Sequence, residues 1–239
     1  VIGACMALIT SCQSAPSYEV IGLQDNAQPR IMAAALFADT APEGLISSLG
    51  LEDGVPASVS VFLINTDGKQ ILFDAGNGND DSQLMPALQA NGVQAADVDY
   101  VMITHMHGDH IGGLMKDGQS VFTQAKLYIP SVELDSWTQD AKVQALVAAY
   151  GERLVKFTLG DALPCGVQAM AAYGHTPGHT LYLAGDKLIA GDIMHGLALQ
   201  LDHPEFCARY DMDKEGAIAS RKSVIEQVKQ NGWTMFGMH

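Results

Sequence analysis

The 239-residue sequence contains few basic residues and few aromatic residues. It has 13 Lys and Arg against 27 Asp and Glu, and Phe, Trp and Tyr make up 7% of the chain. Because binding to phosphate backbones needs a basic face, the formal net charge of −14 argues against a nucleic-acid partner. The apolar content of 48% is enough for one α/β domain with a large core.

The apolar stretch at residues 1–12 is uncharged and too short to cross a bilayer as a helix. It is typical of the apolar part of a secretory signal, and residues 9–12 (Ile-Thr-Ser-Cys) resemble a bacterial lipobox with a lipidated cysteine. Residues 13–30 would then be a tether, and residues 31–239 the folded domain. We therefore expect an exported protein, periplasmic or held at the membrane by a lipid anchor. The alternative is a buried first strand or helix.

The four cysteines form no Cys-x-x-Cys pattern. If Cys5 is removed with the signal and Cys12 is lipidated, Cys165 and Cys207 remain. An exported location permits a disulfide between them. The sequence favours buried structural thiols, which need no partner.

Strand and helix patterns alternate along the chain, which favours an α/β class with mixed sheets flanked by helices. We predict strands over 58–65, 70–74, 100–104, 125–130, 154–157, 167–173, 180–184, 187–190 and 232–236. We predict helices over 82–91, 140–150 and 214–230, and a further helix capped by Ser131. The last helix should be capped near Asp211 or Asp213.

A dense group of metal-binding side chains directly follows the apolar run at 100–104. It consists of His105, His107, Asp109 and His110. Imidazole and carboxylate together suit zinc, and also manganese or iron. The spacing allows the first two histidines to bind one metal and the other two residues a second. A polar loop that is merely rich in histidine is the alternative, but such a cluster is costly to leave unpaired near a core.

The His-x-His-x-Asp-His pattern resembles the metallo-β-lactamase superfamily, and three later motifs extend the resemblance. They are Gly-His-Thr-Pro-Gly-His at 174–179, Ala-Gly-Asp at 190–192 and Phe-Gly-Met-His at 236–239. The resemblance implies a four-layer αββα sandwich with metals at one edge, between two sheets. It also implies that Asp74, after the second predicted strand, supports a ligand histidine.

The resemblance further implies two metal ions with seven ligands. One metal would be bound by His105, His107 and His175, the other by Asp109, His110 and His239, and Asp192 would bridge both. Two Zn²⁺ are the expected cofactors, with Mn, Fe and Co as alternatives. His179 would have a structural role.

Such a site implies a metal-dependent hydrolase. Metal binding lowers the pKa of water to about 7, which provides a hydroxide nucleophile at neutral pH. Asp109 could then take the proton. His195, three residues after Asp192, could donate a hydrogen bond to a substrate oxygen or fill a structural role. Phe73, Trp137, Phe206 and Phe236 could supply an apolar pocket.

The ligand set also narrows the branch of the superfamily. Asp192 argues against true β-lactamases, and His107 argues against the di-iron flavoproteins. The pattern at 191–195 and 200–202, with Pro204 and Arg221, is most similar to the exported branch that contains methyl parathion hydrolase. We expect cleavage of an ester, lactone or phosphotriester in a small molecule. The alternatives are an acyl-homoserine lactonase, an iron-dependent sulfur or thiol oxidoreductase, and a non-catalytic envelope lipoprotein.

Both ends of the sequence suggest a longer protein. An initiator methionine and a basic segment are missing before the apolar stretch, and superfamily members usually continue beyond the last ligand histidine. We therefore expect the sequence to be truncated at both ends. It leaves the oligomeric state open, a dimer included.

Overall fold

The computed structural model describes residues 16–42 and 44–239. The predicted signal and lipobox at residues 1–12 lie outside the described residues. Within the described ranges, no helix combines the length and apolar character that crossing a membrane requires.

Fourteen strands are found in the described part of the chain. They are β1 Glu19–Gln24, β2 Arg30–Met32, β3 Val55–Ala57, β4 Ser60–Thr66, β5 Lys69–Phe73, β6 Tyr100–Met102, β7 Met115–Lys116, β8 Gln119–Ser120, β9 Lys126–Pro130, β10 Leu154–Phe157, β11 Gln168–Ala171, β12 Thr180–Ala184, β13 Lys187–Ile189 and β14 Thr234–Phe236.

Seven α-helices accompany them in the same ranges. They are α1 Leu45–Ser48, α2 Leu84–Ala90, α3 Gly108–Ile111, α4 Ser131–Ser136, α5 Ala141–Tyr150, α6 Leu197–Gln200 and α7 Lys214–Asn231.

The larger strands form two sheets. The first has six strands in the order β1-β4-β5-β6-β9-β10, antiparallel from β1 to β5 and parallel from β5 to β10. The second has four strands in the order β11-β12-β13-β14, of which the last pair is parallel. Two short antiparallel strand pairs, β2-β3 and β7-β8, complete the strand pairing.

Strand β4 shows why the sheets lie between other layers. Successive side chains of a strand point to opposite faces. Val61 and Leu63 pack in the cluster that includes residues of α2 and α5, whereas Phe62 and Ile64 pack in the cluster shared with the second sheet. Both sets are buried because both faces of this strand are covered.

Three apolar clusters define the layers. Helices α2 and α5 cover the outer face of the six-stranded sheet, and α7 covers the outer face of the four-stranded sheet. The two inner faces meet each other, with the rings of Phe73 and Tyr182 5.4 Å apart. The layer order is therefore αββα, and the predicted α/β class and four-layer sandwich are confirmed.

The helix caps can be compared with those expected from the sequence. The Asp140 carboxylate accepts hydrogen bonds from the backbone N–H groups of Lys142 and Val143 at the start of α5. Asp213 caps α7, so Asp211 is free for another role. Ser131 is the first residue of α4 rather than its cap, a position that Pro130 occupies.

The tether predicted for residues 13–30 is wrong from Glu19 onwards. Strand β1 pairs with β4 over six residues, and β2 begins at Arg30. The carboxylate of Asp25 is buried and accepts hydrogen bonds from the backbone N–H groups of Asn77 and Leu84. The polar residues on either side concealed this strand, in which only Leu23, on the helix-covered face of the sheet, is fully buried. The folded domain therefore includes Glu19–Gln24.

Candidate metal centre

The predicted ligands lie beside the ends of strands from both sheets. The motif at 105–110 follows β6 of the six-stranded sheet and continues into α3. The others lie just outside strands of the four-stranded sheet: His175 precedes β12, Asp192 follows β13 and His239 follows β14. The fold thus brings together all seven side chains, although they span more than half of the sequence.

Three histidine nitrogens converge in the first group. The Nε2 atoms of His105 and His175 are 3.1 Å apart, and the Nδ1 atom of His107 lies 3.1 Å and 2.9 Å from them. Zinc–nitrogen bonds in a tetrahedral site would separate such atoms by roughly 3.3 Å. Asp192 Oδ2 lies 3.4 Å from His175 Nε2 and 3.7 Å from His105 Nε2.

The second group lies on the other side of Asp192. The Oδ1 atom of Asp192 is 3.0 Å from His110 Nε2, and the Oδ2 atom of Asp192 is 3.0 Å from His239 Nε2. Asp109 is more peripheral, since its carboxylate oxygens lie 3.8 Å from His110 Nε2 and 3.6 Å from His239 Nε2. The Asp192 carboxylate therefore stands between the two groups, where a bridging ligand belongs.

In four of the histidines Nε2 faces the site, and the other ring nitrogen, Nδ1, forms a hydrogen bond outside it. His105 Nδ1 contacts Thr104 Oγ1, His110 Nδ1 contacts Asp74, His175 Nδ1 contacts Asp211, and His239 Nδ1 contacts the Ser58 carbonyl, at distances of 3.0, 2.6, 2.9 and 2.7 Å. With Nδ1 as the donor, each Nε2 is the nitrogen directed into the site, where its lone pair can bind a metal ion. These partners fix the tautomers that metal ligation requires.

These lone pairs show that the residues fit metal ions. Unprotonated nitrogens about 3 Å apart repel one another unless a cation lies between them. In addition, His110 Nε2 and Asp192 Oδ1 are buried and are not aligned for a hydrogen bond with each other or with another described group. A cation bound to both would satisfy them. The assignment of each ligand to one metal stays a prediction.

The charge states of the site agree with this reading. Burial lowers the pKa of His105 well below its usual value and that of His107 to about 4, so both are neutral. Burial also disfavours charge on His110, but Asp192 and Asp74 together outweigh it and raise its pKa. The centre between Asp192 and His110 thus stabilises positive charge, which a divalent ion would supply.

His179 has the structural role that the sequence predicted. Its Nδ1 atom donates to the Ala172 carbonyl, and its Nε2 atom accepts the backbone N–H of Asp192. Burial lowers its pKa to about 3, which keeps the ring neutral. Gly191 has a φ of +50°, and a Cβ there would lie 2.5 Å from His179 Nε2. Glycine is therefore required beside the bridging aspartate.

Asp74 supports His110 as expected. It adopts a φ of +62°, and its carboxylate accepts hydrogen bonds from the backbone N–H and the hydroxyl of Thr104, both 2.7 Å long. Asp211 supports His175, a role that the sequence did not reveal. Its second oxygen accepts a hydrogen bond from Arg221, which is fully buried and also binds three backbone carbonyls, those of Ile193, Pro204 and Phe206.

Glu133 is a further buried carboxylate that sequence reasoning missed. It accepts hydrogen bonds from the backbone N–H groups of Met106 and Gly178, the Trp137 indole and the Thr176 hydroxyl, at 2.8–2.9 Å. It therefore joins the ligand loop at 105–110 to the loop at 174–179. No local pattern distinguishes it from an ordinary acidic residue in the first turn of a helix.

Replacing Glu133 with Leu is expected to destabilise the protein strongly. It leaves two buried backbone donors unpaired, which would lower the free energy of unfolding by about 3 kcal/mol or more. Glu133→Gln keeps one acceptor oxygen and should have a smaller effect. Urea denaturation of the metal-loaded variants measures both, with the exposed Glu152→Gln as control. Equal stability of Glu133→Leu and the unmodified protein would contradict this role.

Two cavities open onto the predicted ligands. The smaller, about 310 Å³, is lined by His195, Tyr210, Met32 and five of the predicted ligands. The larger, about 770 Å³, has an apolar wall that includes Trp137 and Leu146. Both are lined by Arg30, His107, Gly108 and Asp109.

His195 lies in the wall of the smaller cavity. It is buried, and neither ring nitrogen has a hydrogen-bond partner among the described residues. Its ring stacks on that of His239, and its Nε2 atom is 3.4 Å from Asp192 Oδ2. The backbone N–H of His195 donates a hydrogen bond to the side-chain oxygen of Gln200. The position is compatible with the predicted contact to substrate, which stays a prediction.

The predicted aromatic pocket is largely wrong. Of the four residues proposed for it, Trp137 lines a cavity, whereas Phe73, Phe206 and Phe236 pack in apolar clusters. Composition alone cannot separate pocket aromatics from core aromatics, because both are apolar. Cys165 and Cys207 are both free thiols, and Cys207 is buried as expected.

The αββα layers and the two ligand groups beside them define an α/β protein whose clustered His and Asp side chains could bind metal ions. The sequence profile of the Metallo-beta-lactamase superfamily matches residues 54–239, and the chain belongs to this superfamily. The family resemblance found in the motifs is thereby confirmed.

Several relatives share the fold. The hydrolase AbOPH of the β-lactamase superfamily is 28% identical, with a TM-score of 0.82 over 93% of this chain and 87% of its own. AidC, a dizinc quorum-quenching lactonase solved with its product N-hexanoyl-L-homoserine, is 23% identical, with a TM-score of 0.83 over 95% of this chain and 89% of its own. At this identity, AidC shows the fold alone.

A curated relative is also similar over part of its length. The hydroxyacylglutathione hydrolase of Xanthomonas euvesicatoria pv. vesicatoria (strain 85-10) is 31% identical over 135 residues, which are 56% of this chain and 46% of that protein. The chain spans about half the length of the curated relatives that it matches.

Proposed function

We propose that the chain is a metal-dependent hydrolase that cleaves an ester, a lactone or a phosphotriester in a small molecule. The observation that carries this proposal is the position of Asp192 between two groups of ligands. One carboxylate oxygen lies beside His110 and the other near His105, His175 and His239. This arrangement suits a pair of adjacent divalent ions, and zinc fits the donor set.

Bound metal ions would polarise the oxygen of the scissile group and provide a hydroxide nucleophile at neutral pH. The chain's own residues would complete the reaction. Asp109 is the most exposed of the proposed carboxylate ligands and lines both cavities, so it is placed to accept a proton. His195 has free ring nitrogens at the cavity wall and would donate a hydrogen bond to a substrate oxygen.

An acyl-homoserine lactonase is the second candidate. The larger cavity favours it, because its apolar wall could accept an acyl chain beside the ligands. The hydroxyacylglutathione hydrolase relative instead points to a thioester, which the same chemistry would cleave.

We also propose that the protein is exported and held at a membrane by a lipid anchor. The support is the apolar segment at 1–12 with its lipobox-like end. The domain would then act on small molecules in the periplasm. A bacterial expression test with Cys12→Ser, read by membrane fractionation, addresses this proposal separately from activity.

Removal of metal is expected to abolish hydrolysis. Dialysis against a chelator should lower turnover by at least about 100-fold, and two equivalents of zinc should restore it. Hydrolysis should be measured on a panel of substrates: a phosphotriester, a lactone, an acyl-homoserine lactone, a thioester, an aryl ester and a cephalosporin. Its relative kcat/KM values identify the substrate class. Stoichiometric iron without zinc, together with no hydrolysis in the panel, would favour the oxidoreductase instead.

A further inference from the structure

Arg30 stands where the two cavities meet. Both cavities are lined by Arg30 and by the ligand segment His107, Gly108 and Asp109. A substrate that places its scissile bond at the metal ions and extends into either cavity would therefore pass close to Arg30. Lys142 is the other basic residue of the larger cavity, and it does not line the smaller one.

Arg30 has no partner within residues 16–42 and 44–239, where its guanidinium forms no ion pair and no hydrogen bond. The other three arginines are all engaged: Arg153 binds backbone carbonyls, Arg209 pairs with Asp39 and Arg221 pairs with Asp211. Among the described residues, Arg30 is therefore the one arginine whose guanidinium has neither a hydrogen-bond partner nor an ion-pair partner.

The backbone around Arg30 is fixed. Strand β2 pairs with β3, so that Arg30 lies opposite Ala57. Two residues later, Met32 is buried in the cluster that contains Phe37 and Val55. The side chain therefore extends from a paired strand at the cavity wall. Its guanidinium has a planar set of donors that matches carboxylate and phosphate oxygens.

We infer that Arg30 binds an anionic group of the substrate, a carboxylate or a phosphate, located beside the scissile bond. The inference rests on the proposed hydrolytic function and narrows its substrate class. An overall charge of −14 disfavours anionic ligands at long range, so their recognition requires a local cation. Acyl-homoserine lactones carry no charge, and they would gain little from this residue.

The test uses the zinc-loaded protein and a matched pair of aryl esters. One ester carries a terminal carboxylate, and the other is its methyl ester. The unmodified protein should prefer the anionic ester by about tenfold or more in kcat/KM. Arg30→Met should lower kcat/KM for the anionic ester by about 10-fold to 100-fold and change that for the neutral ester less than about threefold. The kcat/KM of Arg30→Lys for the anionic ester should lie between the values of the unmodified protein and Arg30→Met.

Arg209→Met is the matched control, because Arg209 is exposed and lines neither cavity. A phosphate-bearing ester in place of the carboxylate distinguishes the two anions. The preference should also weaken as sodium chloride is raised from about 0.05 M to about 0.5 M, since salt screens exposed charges. Zinc content, measured on every variant, should stay constant.

Binding provides a readout that is independent of turnover. In titration calorimetry, the dicarboxylate product should bind Arg30→Met at least about tenfold more weakly than the unmodified protein. Equal losses for both esters, or no preference in the unmodified protein, would overturn the inference and leave the hydrolase proposal standing. If no ester is hydrolysed, the hydrolase proposal fails, and unchanged product binding by Arg30→Met would then overturn the inference as well.

Discussion

Asp192→Asn is expected to remove most of the hydrolytic activity and to weaken binding of one of the two metals. The neutral amide supplies one oxygen where the carboxylate supplies two, and its NH₂ group would face a histidine nitrogen. We expect kcat/KM to fall by at least about 1000-fold, with about one metal ion retained after dialysis. Elemental analysis of the dialysed protein and kinetics at saturating zinc measure the two effects separately.

The fold should survive this substitution. His179 accepts the backbone N–H of Asp192, not its side chain, so the loop keeps its anchor. Asp186→Asn, in the exposed turn between β12 and β13, is the matched control. Two retained metals with unchanged activity in Asp192→Asn would show that the carboxylate does not bridge.

Arg221→Met is expected to have the second large effect. Arg221 is fully buried, and it binds three carbonyls as well as the Asp211 carboxylate that supports His175. Removing one partner of a buried ion pair costs about 3–5 kcal/mol, because the other charge is left unpaired. Denaturation of metal-free protein measures this cost, with the exposed neighbour Lys222→Met as control.

Arg221→Met should also lower the affinity for the metal ion predicted at His105, His107 and His175 by about 10-fold to 100-fold, because Asp211 would no longer orient the His175 ring firmly. Asp211→Asn separates the two effects. It should reproduce the loss of metal affinity with a smaller loss of stability, since the amide oxygen can still accept one hydrogen bond and Arg221 keeps its three carbonyl partners. Zinc competition with a fluorescent chelator gives the affinities. Loss of stability with unchanged zinc affinity in both variants would limit Arg221 to a structural role.

The sequence predicted those parts of the molecule that depend on local patterns. The seven proposed ligands occur in short motifs, and each motif follows or precedes an apolar strand of clear pattern. The caps at Asp140 and Asp213 are equally local. Apolar alternation also located β4, β5 and β12 to within a residue or two.

The missed features depend on contacts between distant segments. Glu133 lies 27 residues from Met106 and 45 from Gly178, and neither distance is encoded in a motif. Strand β1 lies in a segment of polar composition and becomes recognisable only through its pairing with β4. Arg30 is ordinary in sequence, and the role that we infer for it depends on the two cavities that it lines.

The division of the ligands between the sheets has a consequence for folding. Metal ions bound to His105 and His110 from one sheet and to His175 and His239 from the other would act as cross-links across the apolar layer. Ligand binding to the native state adds about 4 kcal/mol of stability when the free ligand exceeds its Kd 1000-fold. Here that energy would be lost as soon as the sheets separate. Metal loading would therefore make the two sheets unfold as one cooperative unit, and the metal supply would set the lifetime of the native state.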